Sequence, residues 1–282
     1  MRLAVLQPGY LPWLGYFEQL MASQAFVHLD DVQYDKHGWR NRNRVRCAGG
    51  DGWCWLTVPV RSRGRFGTAL CETEIDGTKP WARTHWRTLE QCYGRAPHFH
   101  RYGPELRALL LDKAWTRLVE LDLALAEWLA RCLGVSWTHT VRASALGVPR
   151  VGSPTERLVA MCERLGATEY YTGAAARDYL DATAFEKVGV RVTFQDYAHP
   201  TYPQILPGFV SHLSALDAVF NVGPYACELV AGARPRPPTG QGPNQDDAPT
   251  GAAAEVPTPS RGQATSCPDW ATKQPKSGVQ DG

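Results

Sequence analysis

The residues best suited to chemistry fall into three clusters. The first is Gln7-Pro8-Gly9-Tyr10-Leu11-Pro12-Trp13-Leu14-Gly15-Tyr16, which brings a carboxamide, two phenols and an indole into one turn. The second runs from Asp30-Asp31-Val32-Gln33-Tyr34 into Trp39-Arg40-Asn41-Arg42-Asn43-Arg44-Val45-Arg46. The third is C-terminal and holds Tyr170-Tyr171-Thr172-Gly173, Tyr179, Gln204, Ser214, Asp217 and Asn221. Adjacent carboxylates repel, which raises one member's affinity for a proton and suits it to act as a base near neutrality. Asp30 and Asp31 are therefore candidate general bases, with Asp31 preferred and His85 as a third. On a strand Arg40, Arg42, Arg44 and Arg46 share one face, while Trp39, Asn41, Asn43 and Val45 share the other. With Lys36, Arg61, Arg63 and Arg65 nearby, that face reads equally as a phosphate-binding ridge or as a solvated hairpin edge. Tyr10, Asn41 and Gln204 are candidate donors to a developing oxyanion.

Bland roles compete with these. Ser214 with Asp217 has the spacing of a helix N-cap followed by an acidic first turn, and Asp217 and Asn221 then share a helix face. Eight cysteines include no C-x-x-C pair, and no Cys/His spacing suits zinc, so reduced core thiols and no metal are expected. Cys47 and Cys54 can face each other across a hairpin. His98 and His100 lack a third ligand, and no G-x-S-x-G nucleophile turn occurs.

Positioning these clusters requires a sheet. Arg2–Gln7 reads as a buried strand ending in a Pro-Gly turn, Leu14–Ser23 as a helix, and Ala25–Val32 as a second strand. WRNRNRVRC and WCWLTVPV flank a GGDG turn, which is a hairpin pattern, and ALCETEID alternates as a further strand. Residues 81–134 carry three amphipathic helical stretches. Beyond them strand-like and helix-like pieces alternate through WTHTVRAS, PTERLVAMCERLG, EYYTG, RDYLDATAFEKVG and VRVTFQDYA. This order predicts an α/β fold with a parallel or mixed sheet flanked by helices, plus a basic hairpin and a helical layer at 81–134. Ligands of such sheets bind beyond the strands' carboxyl ends, which is where Gln7, Tyr10, Trp13, Tyr16, Thr172, Gly173 and Tyr179 fall.

Composition bounds the rest. The chain has 282 residues, 21% charged and 44% apolar, with a formal net charge of +2. No apolar run reaches the ~20 residues of a membrane span, and prolines interrupt the N-terminus before a signal core can form. A cytoplasmic protein without a membrane or DNA partner is expected. Residues 231–282 are rich in Pro, Gly and Ala and read as a disordered tail appended to a domain at 1–230, because they bury too little surface to offset ordering entropy. Truncation after residue 230 is accordingly expected to leave the melting temperature nearly unchanged; a large fall in a thermal melt would show that the tail docks.

Two resemblances extend the reading. The first turn is similar to that of the nucleotidylyltransferase and pantothenate synthetase group, in which a Gly-His pair opens the first helix and contacts ATP. Here Gly15-Tyr16 stands in that place, and a phenol does not replace a cationic imidazole. More of the chain, through LQPGYLPWLGYFEQL, FVHLDDVQYDKHGWRNRNRVR, WLTVPV, EYYTGAAARDYLD and PTYPQILPGFVSHLSALDAVFNVGP in that order, resembles the WbqC-like family over residues 2–224. The resemblance implies an accessory enzyme of polysaccharide or natural-product biosynthesis. It would attach an acyl or aminoacyl group, such as glycyl, to an amino sugar or other small amine, with a carrier-protein thioester or aminoacyl-tRNA as donor. Its motif residues include Gln7, Tyr10, Tyr16, Asp30, Asp31, Gln33, Tyr34, Arg40, Asn41, Arg42, Gly173, Tyr179, Gln204, Ser214, Asp217 and Asn221. No cofactor is identified, and ATP is the candidate if a carboxylate is activated directly. The alternatives are an ATP-dependent nucleotidyl-transferring enzyme and a non-catalytic binding module.

Overall fold

A computed structural model describes residues 1–232 apart from Arg63 and Arg65. The tail assigned to 231–282 lies almost wholly outside the described residues. Five strands, β1 (Arg2–Leu6), β2 (Ala25–His28), β5 (Thr140–Arg142), β6 (Glu169–Thr172) and β7 (Arg191–Phe194), form one sheet. Their order is β5-β2-β1-β6-β7, and every pairing is parallel. The chain thus builds outward from β1 to one side and then returns to build outward on the other. The turnover point lies between β1 and β6, and a doubly wound sheet opens its ligand crevice at the carboxyl ends of such strands.

Helices cover both faces, and side-chain alternation along the strands selects the layer. Ala4 and Phe26 pack with Leu14, Phe17 and Leu20 of α1 (Leu14–Ala22). Leu3, Val5, Val27 and Tyr170 pack instead with Val159, Met161 and Cys162 of α5 (Pro154–Leu165) and with Phe185 of α6 (Ala182–Glu186). Local signals set the ends of α5: Ser153 and Glu156 form a capping box, and Gly166 closes the helix at φ 68°.

The hairpin β3 (Arg42–Arg46) and β4 (Trp53–Thr57) forms its own two-stranded sheet, pairing Arg44 with Trp55. The helical layer is α2 (Trp81–Tyr93), α3 (Phe99–Leu111) and α4 (Leu118–Cys132), which pack with α7 (Ala215–Val222) and α8 (Ala226–Val230) in the first core. Among the described residues no helix is long and apolar enough to cross a membrane.

Three sequence expectations are corrected. The second strand stops at His28, so Asp30 and Asp31 sit in the turn after it rather than on alternating faces of a strand. Residues 69–76 form a 3-10 turn at Leu70–Glu72; their alternation reflects Leu70 and Ile75 entering the core. The stretch 177–189 does not make one helix. A 3-10 turn ends at Asp178, and Asp181 then caps the short α6 by accepting from the Thr183 N–H.

Candidate site at the carboxyl end of the first strand

The loop after β1 is laced to the segment before β3. The Arg40 guanidinium donates to the Gln7 and Pro8 carbonyls at 3.0 and 3.1 Å, and the Tyr10 N–H donates to the Arg40 carbonyl. Two non-glycine residues adopt left-handed backbone here, Leu11 (φ 47°) and His212 (φ 57°). Such conformations persist only where surrounding structure imposes them, and they concentrate at functional sites. Consecutive residues of β3 impose both. Asn43 Nδ2 donates to the Tyr10 and Leu11 carbonyls, and Arg44 Nη2 donates to the His212 carbonyl. Asn43→Ala is expected to destabilise the fold by about 1–3 kcal/mol, because buried carbonyls lose their donor. Denaturant unfolding measures this; a change under ~0.5 kcal/mol would mean that the Leu11 turn holds itself.

Beneath the loop lies a buried polar cluster. Tyr16, in the first turn of α1, places its hydroxyl 3.1 Å from His28 Nδ1, while His28 Nε2 is buried without a hydrogen-bond partner among the described residues. Burial pulls the His28 imidazole down to about 4, so the ring is neutral at physiological pH. Asp122 of α4 is fully buried, and among the described residues neither of its carboxylate oxygens has a hydrogen-bond partner. Desolvation holds its carboxyl well above the usual carboxylate range, and the Arg40 charge offsets only part of this. Asp122 lies within electrostatic range of Tyr10, Tyr16 and Tyr34, and the Tyr34 hydroxyl is likewise buried, with no hydrogen-bond partner among the described residues. A guanidinium, a neutral imidazole, a neutral carboxyl and a free phenol therefore gather at the carboxyl end of the central strand.

An aromatic wall stands at the mouth of α1. Trp13 stacks on His212 and His199, with ring centroids 5.6 and 6.3 Å away, and meets the Tyr197 edge. Gly15 lies close below it: a Cβ there would come 2.2 Å from the Trp13 ring, which would have to shift. Thr172 is buried at the end of β6, with Gly173 following it, whereas Tyr179 is exposed and Gln33 sits on the surface.

Several candidates serve the fold with the very groups proposed for chemistry. Asp30 accepts from Arg142 Nε at 2.6 Å and from the Ser144 N–H and hydroxyl. Asp31 pairs through Oδ2 with Arg157 and Arg150, leaving Oδ1 buried without a partner. The His85 Nε2–H donates to the Thr57 carbonyl, so Nδ1 accepts the Tyr10 hydroxyl at 2.8 Å and both ring nitrogens are occupied. The donors of Asn41 and Gln204 are also committed, to the Val58 carbonyl and to the Val210 carbonyl and Asp217. Ser214 caps α7 through the Leu216 N–H, and Asn221 donates back to the Asp217 carbonyl. Asp217 accepts from Tyr93 and Gln204, fixing the loop before α7 to the helical layer.

The arginine face divides in the same way. Arg46 is buried and donates to the Gly52, Pro207 and Gly208 carbonyls. Arg42 lies over the Trp55 ring at 4.7 Å, and Arg44 lies between Trp53 and Trp39 at 5.0 and 5.4 Å. Of these four, Arg42 and Arg44 stay partly exposed beside indoles, each also donating to a backbone carbonyl, of His37 and His212 respectively.

Sequence reading missed Asp122 and His28 as site residues. A signal for Asp122 existed: it stands four residues after Leu118 and three before Leu125, on the apolar stripe of its helix. His28 follows Phe26 at the strand period, and so belongs to the covered face.

These features define a doubly wound α/β protein with a buried polar cluster at the carboxyl end of its central strand and a hairpin that holds the loop after that strand. The chain belongs to the WbqC-like protein family, which matches residues 7–229. It is 40% identical over 223 residues to the uncharacterized protein Rv1507c of Mycobacterium tuberculosis (strain ATCC 25618 / H37Rv), covering 79% of this chain and 94% of that one. No solved structure matches the chain.

Proposed function

We propose that the protein transfers an acyl or aminoacyl group, of glycyl type, onto the amine of an amino sugar or another small amine. The observation that carries this reading is Asp122, a fully buried carboxyl with no hydrogen-bond partner on either oxygen among the described residues, electrostatically coupled to Arg40, Tyr16 and Tyr34. An unsatisfied buried carboxyl is costly to the fold, and a catalytic role is one reason to keep such a group. In the transfer, the amine nitrogen attacks the donor carbonyl carbon and the C–N bond forms. The bond from that carbon to a carrier's sulfur or a tRNA ribose oxygen breaks, and one nitrogen proton ends on the leaving atom. A neutral carboxyl moves the proton in concert, its hydroxyl giving a proton to the leaving atom while its other oxygen takes one from nitrogen. The free Tyr34 hydroxyl is a donor for the oxyanion that develops meanwhile. Arg42 and Arg44, beside indoles, offer a basic surface to a phosphate-bearing donor arm.

The test supplies glycyl thioester or glycyl-tRNA with a panel of amino sugars and reads amide product by mass. Asp122→Asn is expected to lower kcat by about 10²–10⁴-fold while changing KM little. Unchanged turnover in that variant would remove Asp122 from the mechanism. A second reading, carboxylate activation by ATP, draws on the nucleotide-binding strand order and the α1 N-terminus beside it. Product formation that consumes ATP would favour it. Ligand binding without any turnover would leave a non-catalytic binding module.

A further inference from the structure

We infer that the outer face of the β3–β4 hairpin binds an unpaired RNA strand. The inference rests on the transfer reading and deepens it: of the two donors it selects an aminoacyl-tRNA, whose unpaired acceptor end lies on this face. Strand alternation divides the hairpin. Asn43, Val45 and Leu56 are buried, and Asn43 holds the Tyr10 and Leu11 carbonyls, so that face is spent on the core and the site loop. The opposite face carries Arg42 and Arg44 from β3 and Trp53 and Trp55 from β4, and the Trp39 ring joins it 5.1 Å from Trp55. Trp55 is 40% exposed, and Trp39, Trp53, Arg42 and Arg44 are half-buried.

Cations and rings alternate across this face. Arg42 lies 4.7 Å from the Trp55 ring, Trp55 meets Trp53 at 5.5 Å, and Arg44 sits 5.0 Å from Trp53 and 5.4 Å from Trp39. Among the described residues neither arginine is ion-paired, and each spends one hydrogen bond on a carbonyl, which leaves most of a five-donor guanidinium for an anion. Each unit of an unpaired nucleic acid offers a flat base to an indole and a phosphate to a guanidinium. A sugar would use the indoles and leave the cations unmatched. A carrier's acyl arm brings an anion but no ring, and a duplex hides its base faces. The face also leads to the candidate site. Arg44 Nη2 donates to the His212 carbonyl at 3.2 Å, and the His212 ring lies 5.6 Å from that of Trp13, the N-cap residue of α1. A strand lying along Trp55, Trp53 and Arg44 thus brings its terminal nucleotide, which carries the aminoacyl ester, to the aromatic wall.

The test titrates the full-length chain into a fluorescently labelled, unpaired RNA oligonucleotide with the sequence of a tRNA acceptor end and reads anisotropy. Saturable binding is expected, at least ~ten-fold tighter than to the same bases paired in a duplex. Trp55→Ala is expected to raise Kd by about 5–100-fold, and Trp55→Phe, which keeps a ring, by less than ~five-fold. Arg42→Ala is expected to raise Kd and to lower the slope of log Kd against log salt by ~0.7. Should a variant fail to fold, the unmodified chain decides alone by its ranking of probes. Displacement of the RNA by inorganic polyphosphate at equal phosphate concentration, by an amino sugar, or equally well by duplex would overturn the inference. RNA binding without amide product from glycyl-tRNA would uphold the RNA-binding face and remove the transfer reading. Amide product from a carrier thioester with no RNA binding would do the reverse.

Discussion

Asp122→Asn is expected to make the protein more stable above neutral pH than the unmodified chain, with a gap that closes toward acid. Burial raises the Asp122 carboxyl above its unfolded value, so over the intervening pH range the folded chain holds a proton that the unfolded chain releases. Stability from this group is fully present below the unfolded carboxylate value near 4, and is lost as pH rises above it. The loss amounts to at most roughly 1.4 kcal/mol per pH unit until the folded group itself ionises. Asparagine keeps the shape of the neutral acid and does not titrate. Denaturant melts of both proteins at pH 5, 6, 7 and 8 measure the gap; the other buried carboxylates are common to both and cancel. A gap independent of pH would show that Asp122 is not held neutral in the fold. Together with the loss of turnover expected of the same variant, the result would exhibit stability surrendered for activity at one residue.

Tyr16→His is the second large effect. Tyr16 is buried among Phe17 and Phe26, at centroid distances of 5.2 and 5.4 Å, and its hydroxyl meets His28. Histidine is smaller, leaves a void and brings an imidazole that burial penalises when charged, so a loss of about 2–4 kcal/mol is expected. Transfer activity is expected to fall at least ~ten-fold in kcat/KM. Tyr16→Phe keeps the ring and loses the hydroxyl, leaving His28 without a partner on either nitrogen, at a cost of about 1–3 kcal/mol. Nucleotidylyltransferase chemistry makes the opposite demand, since histidine would restore a cationic phosphate ligand. An ATP-dependent activity gained by Tyr16→His would sink the acyl-transfer reading.

The α/β alternation was legible in the sequence because each element obeys a local rule. Leu14, Phe17 and Leu20 recur at helical spacing, and Gly166 ends its helix just before the next strand. The family resemblance and the cluster around Gln7, Tyr10 and Tyr16 were also readable there, since each lies within a continuous stretch of chain. Where donors and charges are spent could not be read in this way. Asp30 finds Arg142 and Ser144 more than a hundred residues away, Asp31 finds Arg157, Gln204 finds Asp217, and Arg46 finds the 207–208 carbonyls. Hydrogen bonding and ion pairing act over a few ångströms, so only the folded chain decides which polar groups are satisfied and which are left for a ligand. By the same logic Asp122 passes in sequence for one acidic residue on an amphipathic helix. Its proton affinity comes from exclusion of water on every side, and that is a property of the assembled core alone.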